Sequence, residues 1–293
     1  MNIIKAYYGG ADCTKELSHK IKGKHLLLYA NNNIIGDPLP DVEKQLEIFW
    51  SYNNQEFFNC YDEGDLVVLP KLQGTKLGVF YSNNNGRLES NSIINASLKS
   101  IKEAAKGENV DIITCPWYPI PNNPFIEIES QFKIGGFSNI ILQILQCLNT
   151  AQAMNPNYKY VSFLEHDLLY PKGIFDYPDS ENTLVNTNYI GMCKKGFQTK
   201  QQNDYPLSQL TMPFNRALKH FESIFHNALI YNAGLVEPNT DSIIEWECKY
   251  PAVHINYGGH FTSHYNVYSA TDTFSEYSYW GDMSQYDYFF TKK

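Results

Sequence analysis

A chain of 293 residues with 31 acidic and 23 basic side chains carries a formal charge of −8, with aromatics at 15% and charged residues at 18%. That length suits one large or two ordinary domains with ample core, and so many rings with so few charges excludes a disordered chain. Only Arg87 and Arg216 are arginine, so phosphate neutralisation by clustered cations, and with it nucleic-acid binding, is not expected. No apolar run approaches the roughly 20 residues of a membrane span.

The first residues, Met1 to Tyr8, lack a charged region followed by a long apolar stretch, so no signal peptide is visible and a cytoplasmic, reducing location is expected. The cysteines at 13, 60, 115, 147, 193 and 248 form no CxxC pair and read as small buried hydrophobes. Cys13 and Cys60 are the one pair to check for a bridge.

Residues 1 to about 70 offer short apolar runs at 3–8, 24–29, 46–50 and 65–70, separated by the turn formers Gly9-Gly10, Asn31 to Asn33, Gly36-Asp37-Pro38 and Asp62-Glu63-Gly64. Short strands with such punctuation predict a small all-β unit with no helix longer than two turns. On Ala6 to Gly9, Asp12-Cys13-Thr14, Asn31 to Asn33, Gly36-Asp37-Pro38 and the closing stretch Glu63 to Pro70, the segment resembles a β-rich accessory module found attached to other domains. That resemblance implies no catalysis.

The hydrophobic period changes after Gly74. Leu77 to Tyr81 reads as a buried strand ending in a turn-rich stretch, Ser82 to Gly86. A helix follows with Ile94, Leu98, Ile101 and Ala105 on one face. Val110 to Cys115 is a second strand. Ser138 is placed to cap a helix whose buried stripe is Ile140, Ile141, Ile144, Leu145 and Leu148. Tyr158 to Leu164 is a third strand, and another helix is expected over 214–229. Strand alternating with helix predicts an α/β fold with a mostly parallel sheet flanked by helices. With Pro70 to Gly74 as the boundary, the expected division is an accessory domain, 1–72, and an α/β domain, 73–293.

The third strand runs straight into Glu165-His166-Asp167. Ligand sites in open α/β sheets lie beyond the carboxyl ends of strands. Residues two apart in extended backbone point the same way, which would aim both carboxylates at one spot and turn His166 away. Two converging carboxylates suit a hard divalent cation that keeps places for substrate phosphates. Acid-x-acid triplets are common: six occur, at 41/43, 63/65, 127/129, 165/167, 179/181 and 245/247, where about three are expected by chance. Only 165/167 directly follows a strongly apolar strand of the α/β segment; the competing interpretation is a solvated turn.

On these residues the chain, over roughly 77 to 265, resembles nucleotide-sugar-dependent glycosyltransferases of the GT-A type, whose fold is Rossmann-like. The resemblance implies that Tyr81, Ser82, Asn83 and Asn84 hold the nucleotide, with Glu165 also at the donor. It implies that Glu165 and Asp167 bind Mn²⁺ or Mg²⁺ on the diphosphate of a sugar donor, expected to be a UDP-sugar. The usual motif is Asp-x-Asp, so Glu165 is a departure and Asp167 the firmer ligand. Such enzymes often complete the metal shell with a C-terminal histidine: His260, after Gly258-Gly259, is the first choice and His264 the second. His254, between Val253 and Ile255, reads as a strand residue of structural use. A chain with two arginines also has little else with which to hold a diphosphate leaving group.

A general base for the acceptor hydroxyl has two candidates, Glu237 and Asp204. The ring-rich tail, Phe274 to Phe290, suits either sugar faces or packing and subunit contact; oligomerisation through the tail or the N-terminal segment is open. The expected partners are a nucleotide sugar and a carbohydrate or glycoconjugate acceptor, with a modified base of DNA as a variant that the acidic charge disfavours. Two other classes stand beside the transferase: a metal-dependent hydrolase or nucleotidyl transferase using the same carboxylates, and a non-catalytic carbohydrate-binding or structural protein.

Overall fold

A computed structural model describes residues 1–22, 24–52, 54–82, 91–116, 118–121, 123–128, 137–193, 196–198, 205–231, 242–255, 278–280 and 283–289.

In residues 1–69, strands β1 (Asn2–Tyr8), β2 (Ala11–Asp12), β4 (Gln45–Tyr52) and β5 (Gln55–Asp62) form an antiparallel sheet in the order β2-β1-β4-β5. Strands β3 (Leu26–Tyr29) and β6 (Leu66–Leu69) pair separately. Leu46, Ile48 and Trp50 alternate along β4 and are buried, the period-two pattern of a sheet with one dry face. The segment is β-rich rather than all-β, because α1 (Thr14–Lys20) makes two helical turns after the Asp12 carboxylate accepts the Thr14 amide at 2.9 Å, with Leu17 buried beneath it. The sequence did not announce β5. This edge strand leaves even Phe57 and Phe58 exposed, so it carries no apolar alternation to find. The segment's buried residues, from Ile3 to Leu69, form a cluster of their own. No bridge joins Cys13 and Cys60: both are free thiols. Cys13 is buried, while Cys60 is exposed opposite Glu47, against the expectation that every cysteine is buried.

The second segment is built on β7 (Lys76–Tyr81), β8 (Val110–Thr114), β9 (Ile126–Glu127), β10 (Tyr160–Glu165), β12 (Thr183–Asn186), β15 (Leu210–Pro213) and β16 (Ile243–Trp246). They make a seven-stranded sheet in the order β16-β12-β15-β10-β7-β8-β9. Every strand runs parallel except β15, which is antiparallel to both neighbours. Helices α3 (Phe137–Met154) and α4 (Phe214–Tyr231) cover one face, where Ile141, Ile144 and Leu148 meet Val79, Val161 and Phe163. Helix α2 (Asn91–Ala104) covers the other, where Ile94, Leu98 and Ile101 meet Phe80, Ile112 and Leu164. The predicted stripes of both helices are therefore the buried ones, except that Leu145 is only partly buried and Ala105, also partly buried, lies just past the end of α2. Ser138 is not a cap: α3 already starts at Phe137, so Ser138 sits inside its first turn. Gly78 allows close strand packing, since a Cβ there would collide with Ile112 Cδ1 and lie 2.9 Å from Leu164 Cδ1.

A smaller sheet of β11 (Leu168–Leu169), β13 (Tyr189–Cys193), β14 (Gly196–Gln198) and β17 (Ala252–Ile255), in the order β11-β17-β13-β14, lies next along the chain after β10. Phe289, Trp280 and Tyr286 pack on its Val253, Ile190 and Met192, and the Trp280 indole N–H donates to the Pro251 carbonyl at 2.8 Å. Phe289, Trp280 and Tyr286 are thus packing residues, while Tyr279 and Tyr288 are exposed. No helix among the described residues is long and apolar enough to cross a membrane.

Candidate functional site

Glu165 is the last residue of β10, in register with Tyr81, the last residue of β7. Both lie on the α3 side of the sheet, at the carboxyl edge, and the Tyr81 hydroxyl donates to the Glu165 carboxylate. Ser208 adds a second side-chain hydrogen bond to Glu165. It comes from the short 3-10 helix Leu207–Gln209 that leads into β15. Because β15 is reversed, its entry, not its exit, reaches this edge.

Beyond Glu165 the chain leaves extended geometry: His166 and Asp167 form a turn into β11. The turn corrects the expectation for His166. Its ring does not point away from the acids; Glu165, His166 and Asp167 each offer a ligand atom within 4.8 Å of the others.

β11 pairs antiparallel with β17, setting Leu168 against His254, and the Ile255 amide donates to the Asp167 carbonyl at 2.8 Å. This pairing delivers the His254 ring to the acid turn, where Nε2 lies 3.1 Å from Asp167 Oδ2. His254 is the residue of this site that the sequence undervalued. Its strand position was legible; that the strand ends beside Asp167 was not.

The charges follow from burial and mutual contact. Burial, then the neighbouring Asp167 charge, pushes Glu165 up to about 8 despite the opposing pull of His254, Tyr81 and Ser208. Burial also acts to raise Asp167, but the His254 charge, first among the opposing causes, and the His254 hydrogen bond outweigh it and hold Asp167 down at about 2. Burial pulls His254 down, yet Asp167 and then Glu165 leave it raised overall. Burial lowers His166, favouring the neutral imidazole that a metal requires. In effect the pair carries one firm negative charge on Asp167 and a proton held on Glu165.

The residues fit a divalent cation. Asp167 Oδ1 is buried with no hydrogen-bond partner among the described residues, an arrangement that is unfavourable for a carboxylate oxygen unless something positive sits on it. Carboxylate oxygens suit Mg²⁺ and Mn²⁺, and a neutral imidazole is compatible with the latter.

Next to Tyr81, the peptide of Ser82 extends past the strand ladder and is fully buried. The Gln143 carboxamide of α3 accepts the Ser82 N–H at 3.0 Å and donates to the Ser82 C=O at 2.8 Å. Of the residues singled out from sequence, the structure brings together Tyr81, Glu165 and Asp167, with Ser82 alongside. Asn83, Asn84, Asp204, Glu237, His260 and His264 lie outside the described residues. A cleft of about 950 Å³ lined by Tyr158, Tyr160, Asp179 and Arg216 opens at the amino end of β10, the opposite end from the acid turn.

No protein-family model matches the chain, and no curated protein matches it. Solved structures that it resembles include a glycosyltransferase involved in the glycosylation of the major capsid of PBCV-1, at TM-score 0.35 and 9% identity, covering 61% of this chain and 91% of that one. Another is a protein named as a nucleotide-diphospho-sugar transferase from Desulfovibrio desulfuricans G20, at 0.35 and 8%, covering 62% and 82%. A third is a mutant Drosophila galactosyltransferase 7 in complex with manganese, UDP-Gal and xylobiose, at 0.32 and 14%, covering 58% and 64%. At these scores the likeness carries no weight for substrate or mechanism.

Proposed function

We propose that the chain is a divalent-metal-dependent glycosyltransferase that moves a sugar from a nucleoside-diphosphate sugar, a UDP-sugar being the first to try, to a hydroxyl acceptor on a glycan or glycoconjugate. The observation that carries this is the Glu165-His166-Asp167 turn at the carboxyl end of β10, with its ligand atoms within 4.8 Å of each other and a buried Asp167 Oδ1 that has no hydrogen-bond partner among the described residues.

Glu165, His166 and Asp167 would hold the metal. Mn²⁺ or Mg²⁺ bound there would neutralise charge developing on the departing diphosphate. The chain's own residues set the stage: His254 keeps Asp167 ionised and oriented, and Tyr81 and Ser208 fix the Glu165 carboxylate. Gln143 holds Ser82 in place at the strand end where the nucleotide is proposed to lie, with Asn83 and Asn84 continuing that site. His260 remains a candidate third-side ligand, and Asp204 and Glu237 remain candidates for the general base. Residues 1–72 are proposed as an accessory unit that recruits acceptor or partner.

The test is a screen of nucleotide sugars for donor hydrolysis and transfer, with Mn²⁺, with Mg²⁺ and with chelator. The proposal expects at least one donor to turn over only with metal, and Asp167→Asn to abolish that turnover. Metal-independent turnover, or unchanged turnover in Asp167→Asn, would sink it. Release of the nucleotide monophosphate, rather than the diphosphate, would point to a hydrolase of the diphosphate instead.

A further inference from the structure

We propose that Tyr170 and Ser97 are positioning residues for the acid turn, gripping the Glu165 backbone on both sides of its Cα so that its ligand atoms are aimed before any ligand arrives. The inference rests on the metal-dependent function proposed above.

Glu165 ends β10, and beyond it the chain leaves the ladder for the turn. Its N–H donates to the Tyr170 hydroxyl at 2.6 Å, and its C=O accepts from the Ser97 hydroxyl at 3.2 Å. Tyr170 and Ser97 are themselves fully buried, at 1% and 0% exposure, so water cannot substitute for either. Tyr170 is fixed in turn: its own N–H donates to Ser100 Oγ at 2.9 Å, and the Ser100 hydroxyl donates to the Ser97 carbonyl at 2.7 Å. Ser97 and Ser100, three apart on one face of α2, thus tie the turn to a rigid helix, directly for Glu165 and through Tyr170.

Tyr170 is five residues from Glu165 and Ser97 is 68 residues away, so a local contact and a distant one meet on a single residue, one on each of its two flanking peptide units. The third point of support is the Ile255 amide on the Asp167 carbonyl. Between them the three bonds fix both ends of a three-residue turn, leaving the side chains of Glu165 and Asp167 as its working parts. Partners that hydrogen-bond metal-ligating side chains commonly change affinity by about tenfold or more when removed, and the same order is expected for partners that fix the backbone carrying them.

The experiment uses the full chain, Mn²⁺ alone as probe, and electron paramagnetic resonance to count free ion. Wild type is compared with Tyr170→Phe and Ser97→Ala. Tyr158→Phe serves as the control for a lost buried hydroxyl, since its hydrogen bond to Asp111 lies at the far end of the sheet. Thermal midpoints are recorded for all four. The expected result is Mn²⁺ affinity about tenfold weaker in Tyr170→Phe and in Ser97→Ala, and unchanged in Tyr158→Phe even where its midpoint falls. Wild-type affinity in both test variants, whatever their midpoints, overturns the positioning role and leaves the proposed function standing. If Tyr170→Phe does not fold, Ser97→Ala decides alone. A wild-type chain that binds no Mn²⁺ removes the metal-dependent function, and this proposal with it.

Discussion

His254 and Asp167 are 87 residues apart in sequence, yet the imidazole Nε2 and the carboxylate Oδ2 lie 3.1 Å apart at the edge of two different sheets. The contact binds the central sheet's acid turn to the smaller sheet, and it orients one carboxylate oxygen while the other, Oδ1, has no hydrogen-bond partner among the described residues.

Replacing His254 by Ala is therefore expected to weaken Mn²⁺ binding by about 10- to 100-fold. His254→Gln, which retains a donor, should recover part of the loss. Isothermal titration with Mn²⁺ reads both; equal affinity in wild type and His254→Ala would show that Asp167 needs no orienting partner.

The proton on Glu165 gives a pH signature to the metal-free protein. In the unfolded chain Glu165 ionises near its ordinary 4.5, and in the folded chain at about 8. Across that window the folded state binds the extra proton, so stability falls as pH rises from 4.5 to 8. Asp167 works in the opposite sense and only at low pH, its contribution being lost as pH falls from 3.8 through about 2. Melting curves in chelator should show the decline between pH 5 and 8, and Glu165→Gln should flatten it. A slope unchanged by the substitution would remove Glu165 as its source.

Gln143 serves two buried backbone groups at once. Gln143→Ala removes both of its bonds to the buried Ser82 N–H and C=O, and at about 1–3 kcal/mol for each lost bond to a buried group a stability loss of roughly 2–6 kcal/mol is expected. Urea unfolding measures it. A loss below about 1 kcal/mol would mean that these groups find other partners.

Gly78→Ala tests the close approach of β7 to its neighbours. The added methyl meets side-chain ends from both flanking strands, Ile112 and Leu164. Overpacking of that kind destabilises by about 1–3 kcal/mol, again read by urea unfolding. A neutral result would mean that both side chains rotate away freely.

Much of this was legible in the sequence because it rested on local periodicity. The stripes Ile94-Leu98-Ile101 and Ile140-Ile141-Ile144-Leu148 are buried as their spacing demands, and Leu77 to Tyr81 and Tyr160 to Leu164 are strands. The acid pair was found because an apolar strand ended on it. What escaped depended on distance in sequence or on a change of backbone. His166 was misplaced because alternation was extended one residue beyond the strand. His254 was undervalued because only sheet pairing, not spacing, brings Val253-His254-Ile255 beside Asp167. Strand β5 escaped because an edge strand exposed on both faces need not alternate. Gln143, Tyr170 and Ser97 left no signal, since polar residues inside apolar stripes look alike until their partners are known.

The reversal of β15 has a consequence for how such a surface can change over time. Six strands hand their exits to the acid edge, where the turn after β10 is held at both ends. β15 alone supplies its entrance, through Ser208. An insertion before β15 and one after β10 therefore alter the same neighbourhood from opposite directions of the chain. New specificity at this edge can be grafted ahead of β15 without touching the turn that carries Glu165 and Asp167.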